Sequence, residues 1–249
     1  MRIGILQCGE IPEGLIPAHG GMADMMRRLL PPGRDATVHD VTRALPESPT
    51  DCDAWLISGS AAGVYDDLPW IAPLKHFLVS ARGKAKLVGI CFGHQVMAEA
   101  FGGRVVKSEK GWGIGLHRYE VTAAAAWMHR AGPPGIQGAG PPGIQGAGPP
   151  GMSDAAPVRI AASHQDQVVQ APPGARTCLA SGFTPFAGLD YGDAISFQCH
   201  PEFAPEFSIA LLEGRRELHG AAGEAALESL RTPDDAPRMR AWIARFLEA

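Results

Sequence analysis

The chain has 249 residues, 45% of them apolar and 19% charged, an ordinary globular composition in a chain long enough to bury a core without disulfides or metal. Lys and Arg number 22 against 26 Asp and Glu, so the formal charge is −4, which argues against a nucleic-acid binder and against a polybasic membrane-surface protein. Five cysteines (Cys8, Cys52, Cys91, Cys178, Cys199) form an odd set without the close spacing of a disulfide framework, and imply a reducing, cytoplasmic setting.

The opening MRIGILQCGEIPEG carries one basic residue and an apolar run broken at Cys8-Gly9-Glu10, which is not the pattern of a signal peptide. No run of 18 apolar residues follows that could span a membrane. Arg2–Gln7 reads as a buried strand. Met22–Leu30 reads as a helix stopped by Pro31-Pro32-Gly33. Thr37–Val41 and Ala54–Ser58 are further strands, the second ending in the small residues Gly59–Gly63. Pro69–Ser80 sets Trp70, Leu74, Phe77 and Leu78 at helical spacing. Lys86–Ile90 is a strand that runs into Cys91, and Gly93–Phe101 a helix ending at Gly102-Gly103. This alternation predicts an α/β fold, an open and mostly parallel sheet with helices on both faces.

The second half reads differently. Val105–Lys107, Gly115–Val121, Val158–Ala161, Cys178–Ser181 and Ala194–Cys199 are short strands between turns. Glu206–Leu218, Ala222–Leu230 and Pro237–Leu247 form a helical C-terminal extension from about residue 206, the last opening at Asp234-Asp235. No long polar linker divides the halves, so one domain is expected over 1–249. Residues 132–151 repeat GPPGIQGA twice and add GPPG. Eight is not a multiple of three, so the glycine triplet of a collagen helix is lost at each copy boundary. The composition predicts a disordered surface insertion, with a partner-recognition segment as the alternative.

Gly89-Ile90-Cys91-Phe92-Gly93 matches G-x-C-x-G, a nucleophile elbow with cysteine at its tip. Strand and helix can approach closely through the two glycines, which pushes Cys91 out at the carboxyl edge of the sheet. A helix N-terminus there favours thiolate, and the Phe92 N–H can help cradle an oxyanion. A nucleophilic cysteine needs a base, and the base an orienting group. Of the nine histidines, His94 lies inside the elbow helix, where it packs or caps, and His39, His76, His117, His129 and His219 have no motif around them. His200 follows a strand and precedes Pro201-Glu202. In extended backbone, i and i+2 share a side, so Glu202 can hold the His200 tautomer that presents a free nitrogen to Cys91.

Gly89-Ile-Cys-Phe-Gly-His-Gln95, followed about a hundred residues later by Gln198-Cys-His-Pro-Glu-Phe203, resembles the class I (triad-type) glutamine amidotransferases. Ile57-Ser-Gly-Ser60, Gly111-Trp-Gly-Ile-Gly115 and Ser163-His-Gln-Asp-Gln-Val168 resemble further family segments in the expected order, over residues 1–215. The resemblance implies a flavodoxin-like sheet and a Cys91–His200–Glu202 triad that needs no cofactor or metal. Cys91 would attack the side-chain amide of L-glutamine and form a γ-glutamyl thioester. His200 would move the proton and Glu202 would orient it. The N–H groups of Phe92 and Ser60 would hold the oxyanion, and Gly59, Gln95, Ser163, His164 and Asp166 would contact the substrate.

The chain departs from the family pattern in three places. Gly59-Ser60-Ala61 stands where many members have Gly-Gly-Pro, and a β-carbon at Ser60 narrows the site. The 132–151 repeat is not part of the pattern. No G-x-x-x-x-G-K-[ST] loop or other synthetase remnant occurs. Two enzyme readings follow: a glutaminase subunit passing ammonia to a separately encoded synthase partner, or a stand-alone γ-glutamyl peptidase or hydrolase, which the Gly-Ser loop and helical tail resemble. A non-catalytic binding module is a third reading. A fourth is an α/β-hydrolase with a cysteine nucleophile, whose acid would precede the histidine, at Asp190 or Asp193.

Overall fold

The computed structural model of the chain describes residues 1–129 and 156–249, and the octapeptide repeat lies outside the described residues. In chain order the elements are β1 (Ile3–Gln7), α1 (Ile16–His19), α2 (Met22–Arg27), β2 (Thr37–Asp40), β3 (Ala54–Ile57), α3 (Ile71–Ala81), β4 (Lys86–Ile90) and α4 (Phe92–Ala100). There follow β5 (Arg104–Lys107), β6 (Gly113–Val121), β7 (Val158–His164), β8 (Asp166–Gln170), β9 (Arg176–Ala180), β10 (Gly188–Asp190) and β11 (Ala194–Phe197). The chain then turns helical through α5 (Pro205–Glu213), α6 (Arg216–Leu230) and α7 (Ala236–Glu248).

One nine-stranded sheet runs β2-β1-β3-β4-β11-β10-β9-β6-β7, and β5 pairs with β8 in a separate ribbon. β2, β1, β3, β4 and β11 are mutually parallel, in the order of a flavodoxin-like sheet. The remaining four strands pair antiparallel. The expected α/β sheet is therefore present, with an antiparallel wing on one side.

β1, β3, β4 and β11 are short, largely apolar runs because both of their faces are covered. Alternate side chains go to opposite layers. Ile3, Ile5, Leu56, Val88 and Ile90 pack with Met25, Met26, Trp242 and Phe246 of α2 and α7. Leu6, Trp55, Ile57 and Leu87 pack with Leu74, Leu78, Val96 and Met97 of α3 and α4. A smaller cluster seats Leu212, Ala226, Leu227 and Leu230 of α5 and α6 on Ala161, Ile114 and Leu116 of the wing.

Several elements differ from the sequence reading. β8 and β10 were not expected: β10 has only three residues between turns, and β8 (DQVVQ) carries polar residues at both ends. The helix expected over Glu206–Leu218 stops at Glu213, before Gly214. The next begins earlier, at Arg216, and is broken at Gly220 (φ 50, ψ −134), a conformation open to glycine.

The last helix is fastened at both ends. The Asp235 carboxylate accepts the Arg159 N–H at 2.8 Å, and the Asp235 N–H donates to the Arg159 carbonyl at 2.9 Å, so the residue before α7 completes the edge strand β7. At the other end Lys86 Nζ donates to the carbonyls of Phe246 and Leu247 at 2.8 and 3.0 Å, a cation on the negative end of the helix dipole. Among the described residues no helix is long and apolar enough to cross a membrane.

Candidate active site

The carboxyl ends of β1, β3, β4 and β11 open on one cleft of about 450 Å³, lined among others by Glu10, Gly59, Ser60, Cys91, Gln95, Ser163, His164, Asp166 and His200. It lies where open α/β sheets hold their ligands, outside the strand ends at the switch in strand order. Cys91 sits between β4 and α4 with φ 53 and ψ −104. It is the only residue other than glycine with positive φ among those described. Such a conformation costs about 1–3 kcal/mol and persists where its surroundings enforce it.

Those surroundings are glycines and strand hydrogen bonds. A β-carbon at Gly89 would lie 2.6 Å from the Gly93 carbonyl, and one at Gly93 only 2.3 Å from the Ile57 carbonyl oxygen. The Cys91 N–H donates to the Phe197 carbonyl at 2.8 Å and the Gly93 N–H to the Ser58 carbonyl at 3.1 Å. Strands on both sides thus grip the turn. The Phe92 N–H opens α4, where a helix leaves its first donors without intrahelical partners.

His200 and Glu202 follow β11. The His200 Nδ1 to Glu202 Oε1 distance is 2.7 Å, and both side chains are buried. A carboxylate accepts, so Nδ1 donates and Nε2 is the nitrogen left to exchange a proton. Nε2 makes no hydrogen bond among the described residues. Burial disfavours a charged ring, but the Glu202 carboxylate, together with the Cys91 sulfur, outweighs it and raises the His200 pKa above its ordinary value. The His200 ring stacks on Phe203, with centroids 4.1 Å apart and planes 8° from parallel.

The loop carrying these residues is held by its backbone. His200 N–H donates to the Ala161 carbonyl of β7 at 2.9 Å. Arg240 of α7 donates to the carbonyls of Pro201 at 2.7 Å and Phe203 at 3.3 Å, and Arg28 to that of Glu202 at 3.2 Å. Two arginines distant in sequence therefore fix the peptide planes around the histidine and the glutamate.

The structure brings the other expected residues to the same cleft. A β-carbon at Gly59 would lie 3.7 Å from His200 Cε1 and 3.8 Å from Cys91 Cβ, so the turn after β3 meets both side chains. Ser60 lies beside it, its Oγ accepting the Ala62 N–H at 3.2 Å. Gln95 donates to the Asp166 carbonyl at 2.9 Å. The Asp166 carboxylate accepts the Tyr65 hydroxyl at 2.9 Å. His164 is buried with its pKa pushed down to about 3, mainly by desolvation, so it stays neutral near neutral pH.

His94 packs in the core, 2.7 Å from the Ser196 hydroxyl, and burial takes its pKa down to about 3. Neither candidate acid of the hydrolase reading meets His200. Asp190 pairs with Arg176 at 2.8 Å, and Asp193 with Arg82 at 3.0 Å. Burial raises the pKa of Cys8, Cys52, Cys178 and Cys199, which keeps those thiols protonated.

Five further residues shape the cleft that sequence reasoning did not single out: Glu10, Tyr65, Lys107, Trp112 and Arg215. Glu10, Tyr65 and Arg215 sit on loops without a motif, Lys107 ends β5 and Trp112 lies in the Gly111–Gly115 segment, and only the fold gathers them. Gln198 was visible as part of the Gln198–Phe203 motif but had no role there. Its side-chain nitrogen lies 3.7 Å from Cys91 Sγ.

The model of the family described as glutamine amidotransferase class-I matches residues 23–209, most of the chain. The chain belongs to this family. A glutamine amidotransferase-like protein of Schizosaccharomyces pombe is 27% identical, the match covering 99% of this chain and 98% of that protein. Gamma-glutamyl peptidase 5 of Arabidopsis thaliana is 27% identical over 73% of this chain and 68% of its own length. A glutamine-hydrolysing GMP synthase of Thermus thermophilus is 30% identical over 78% of this amidotransferase-family chain, but only 32% of the synthase is covered. Among solved structures, a glutamine amidotransferase from Thermotoga maritima superposes with a TM-score of 0.72 at 16% identity, covering 100% of both chains. One from Methylobacillus flagellatus reaches 0.67 at 20% identity, covering 99% of this chain and 92% of that one. At these identities the superpositions establish the class I amidotransferase fold.

Proposed function

We propose that the protein hydrolyses a γ-glutamyl amide, L-glutamine in the first instance, through a γ-glutamyl thioester on Cys91. The observation that carries this reading is the buried His200–Glu202 pair, its free Nε2 facing the same cleft as a cysteine held in a strained elbow. In the first half-reaction His200 Nε2 takes the thiol proton, and Sγ attacks the γ-carbonyl carbon. The oxyanion rests on the N–H groups of Phe92 and Ser60. One such donor is typically worth about 2.7–4 kcal/mol in the transition state. The C–N bond then breaks as His200 returns the proton to the departing ammonia. Water attacks the thioester with His200 as base, releasing glutamate and the thiol. Gly59, Gln95, Ser163, His164 and Asp166 form the wall that receives the glutamyl portion. In the Thermus relative the matching third belongs to a larger chain that hydrolyses glutamine. The ammonia formed here would pass to a separately encoded synthase partner.

A second reading, hydrolysis of larger γ-glutamyl compounds by the protein alone, is favoured by the shape of the cleft. Its volume falls in the range that accommodates drug-sized ligands, about 300–1,000 Å³, more than one amino acid with ammonia as leaving group requires. Beyond His200, Phe203, Phe207, Leu211 and Arg215 line it, with Phe207 and Leu211 one turn apart on α5 and Phe203 and Arg215 flanking that helix. The Arg215 guanidinium lies 6.0 Å from the Trp112 ring and forms no ion pair among the described residues. Such a lining suits a leaving amine with an apolar body and a carboxylate.

Ammonia or amine release by the purified protein alone, from L-glutamine and from a panel of γ-glutamyl dipeptides and anilides, tests both readings. Turnover of glutamine with no gain from a larger leaving group supports the first. Turnover only of the conjugates, lost in Arg215→Ala for the carboxylate-bearing ones, supports the second. No turnover of any γ-glutamyl amide, with Cys91 intact, overturns both in favour of a binding module.

A further inference from the structure

Cys91 Sγ has a neighbour that the triad does not account for. The orientation of the Gln198 amide follows from a chain of hydrogen bonds. The Asp166 carbonyl can only accept, so the Gln95 atom 2.9 Å from it is the amide nitrogen. That same nitrogen lies 3.1 Å from the Gln198 amide, so the Gln198 atom facing it must be the acceptor oxygen. The Gln198 nitrogen is thereby turned to Cys91 Sγ, at 3.7 Å. Gln198 is fully buried and Gln95 nearly so, at 0% and 3% exposure, and no flip of either amide preserves the chain.

We propose that Gln198 is a positioning residue that donates its amide N–H to the Cys91 sulfur, stabilising the thiolate and fixing its direction of attack, and that Gln95 holds it there by relay from the Asp166 carbonyl. The proposal rests on the reading of Cys91 as nucleophile. An N–H donor to sulfur favours the charged form over the neutral one, and in a dry site a hydrogen bond to a charged atom is stronger than one between neutral partners. The donor acts twice per turnover. It meets the negative sulfur after His200 has taken the proton, before the S–C bond forms. It meets it again when water has attacked the thioester and the C–S bond breaks with its electron pair going to sulfur. In the thioester between these events the sulfur is uncharged and the contact is weak, so the donor stabilises the states flanking the intermediate more than the intermediate itself. The relay also joins the nucleophile to a carbonyl at the start of β8, on a residue that lines the cleft.

The test uses the whole purified protein and reads carbamidomethylation of Cys91 by iodoacetamide, followed by mass spectrometry, across pH, beside steady-state turnover. Gln198→Leu is expected to slow Cys91 alkylation at pH 7 by about 10–100-fold, the range expected for losing a hydrogen bond to a charged group. Its rate profile should move to higher pH, and kcat should fall with KM little changed. Gln198→Met keeps the length without the donor and serves if the leucine variant does not fold. Gln198→Glu keeps the acceptor toward Gln95 but turns a carboxylate oxygen to the sulfur, and should slow alkylation further. Gln95→Leu, which does not touch the sulfur, should produce a smaller shift in the same direction, with no added loss in the Gln95/Gln198 double variant. An unchanged alkylation rate and pH profile in the folded Gln198→Leu or Gln198→Met protein would overturn the proposal. Unimpaired turnover in Cys91→Ser would instead overturn the nucleophile reading and leave the amide chain a structural feature.

Discussion

Two turns at the carboxyl ends of neighbouring parallel strands, the elbow after β4 and the loop after β11, contribute to the site by different means. At the elbow, residues are placed by backbone alone: Gly89 and Gly93 leave no room for a methyl group, and neighbouring strands take the N–H groups of Cys91 and Gly93. On the other side, the loop after β11 is placed by contacts from far along the chain, a carbonyl of β7, Arg28 and Arg240. A turn enforced by steric exclusion has one conformation and no adjustable part. A loop held by side-chain clamps is tunable, and its geometry depends on elements that carry no chemistry themselves.

The largest effect tests what the elbow delivers. Cys91→Ser should abolish turnover of any γ-glutamyl amide while leaving circular dichroism and the melting temperature near wild type. A γ-glutamyl analogue with a thiol-reactive group should label Cys91 and none of the four cysteines whose burial keeps them protonated. Labelling elsewhere, or an active serine variant, would break the comparison at its root.

The clamped side is tested next. Glu202→Gln should lower kcat by up to about 10⁴, the cost of the corresponding change of acid to amide in a serine triad. Glu202 raises the proton affinity of His200 against the opposing effect of burial. Without that charge, burial dominates and the ring loses its proton at lower pH. The alkaline limb of the kcat profile, where the acid that protonates ammonia is lost, should therefore move to lower pH. A limb that stays in place would mean that another group sets it.

Stability sharpens the contrast. Gly93→Ala puts a carbon 2.3 Å from the Ile57 carbonyl oxygen, whereas Gly182→Ala, between β9 and β10, meets nothing within 4 Å. Chemical denaturation should show a loss of about 1–3 kcal/mol or more for the first, as overpacking costs, and about 0.5 kcal/mol or less for the second. Equal effects would mean that the elbow is not sterically closed.

The smallest effect comes from two buried histidines beside these turns. His94 on α4 and His164 on β7 both have pKa values pushed down to about 3 by burial. Below its ordinary pKa of about 6.5, an unfolded histidine binds a proton that these native rings refuse, so protons favour the unfolded chain. The urea midpoint should fall as pH drops from 7 toward 4, and His94→Phe should flatten that slope. An unaltered slope would assign acid sensitivity to other groups.

What was legible in the sequence follows how local each feature is. Gly89–Gly93 is contiguous and its steric logic local, so strand, turn and helix with Cys91 at the tip could be read together, as could the two-residue spacing of His200 and Glu202. The wing was harder. β10 is three residues long and β8 lacks a clear alternation, so neither stood out from the turns around them. The cleft residues Tyr65, Lys107, Trp112 and Arg215 lie on segments joined only by the fold, and a sequence offers no spacing rule for side chains brought together through tertiary structure. Gln198 was in plain view, but its orientation depends on Gln95 and a backbone carbonyl that no linear pattern connects.

The fastening of α7 gives the loop of His200 and Glu202 a share in the stability of the chain's last helix. Asp235 against the backbone of β7, Lys86 at the foot of the elbow strand, and Arg240 on the carbonyls of Pro201 and Phe203 bind that helix to three separate places. Detaching it in a fluctuation would release all of them at once. Amide deuterium uptake at residues 200–203 and along 236–248 should therefore proceed through one shared opening event, with a common free energy and a common sensitivity to mild denaturant, as members of a single cooperative unit.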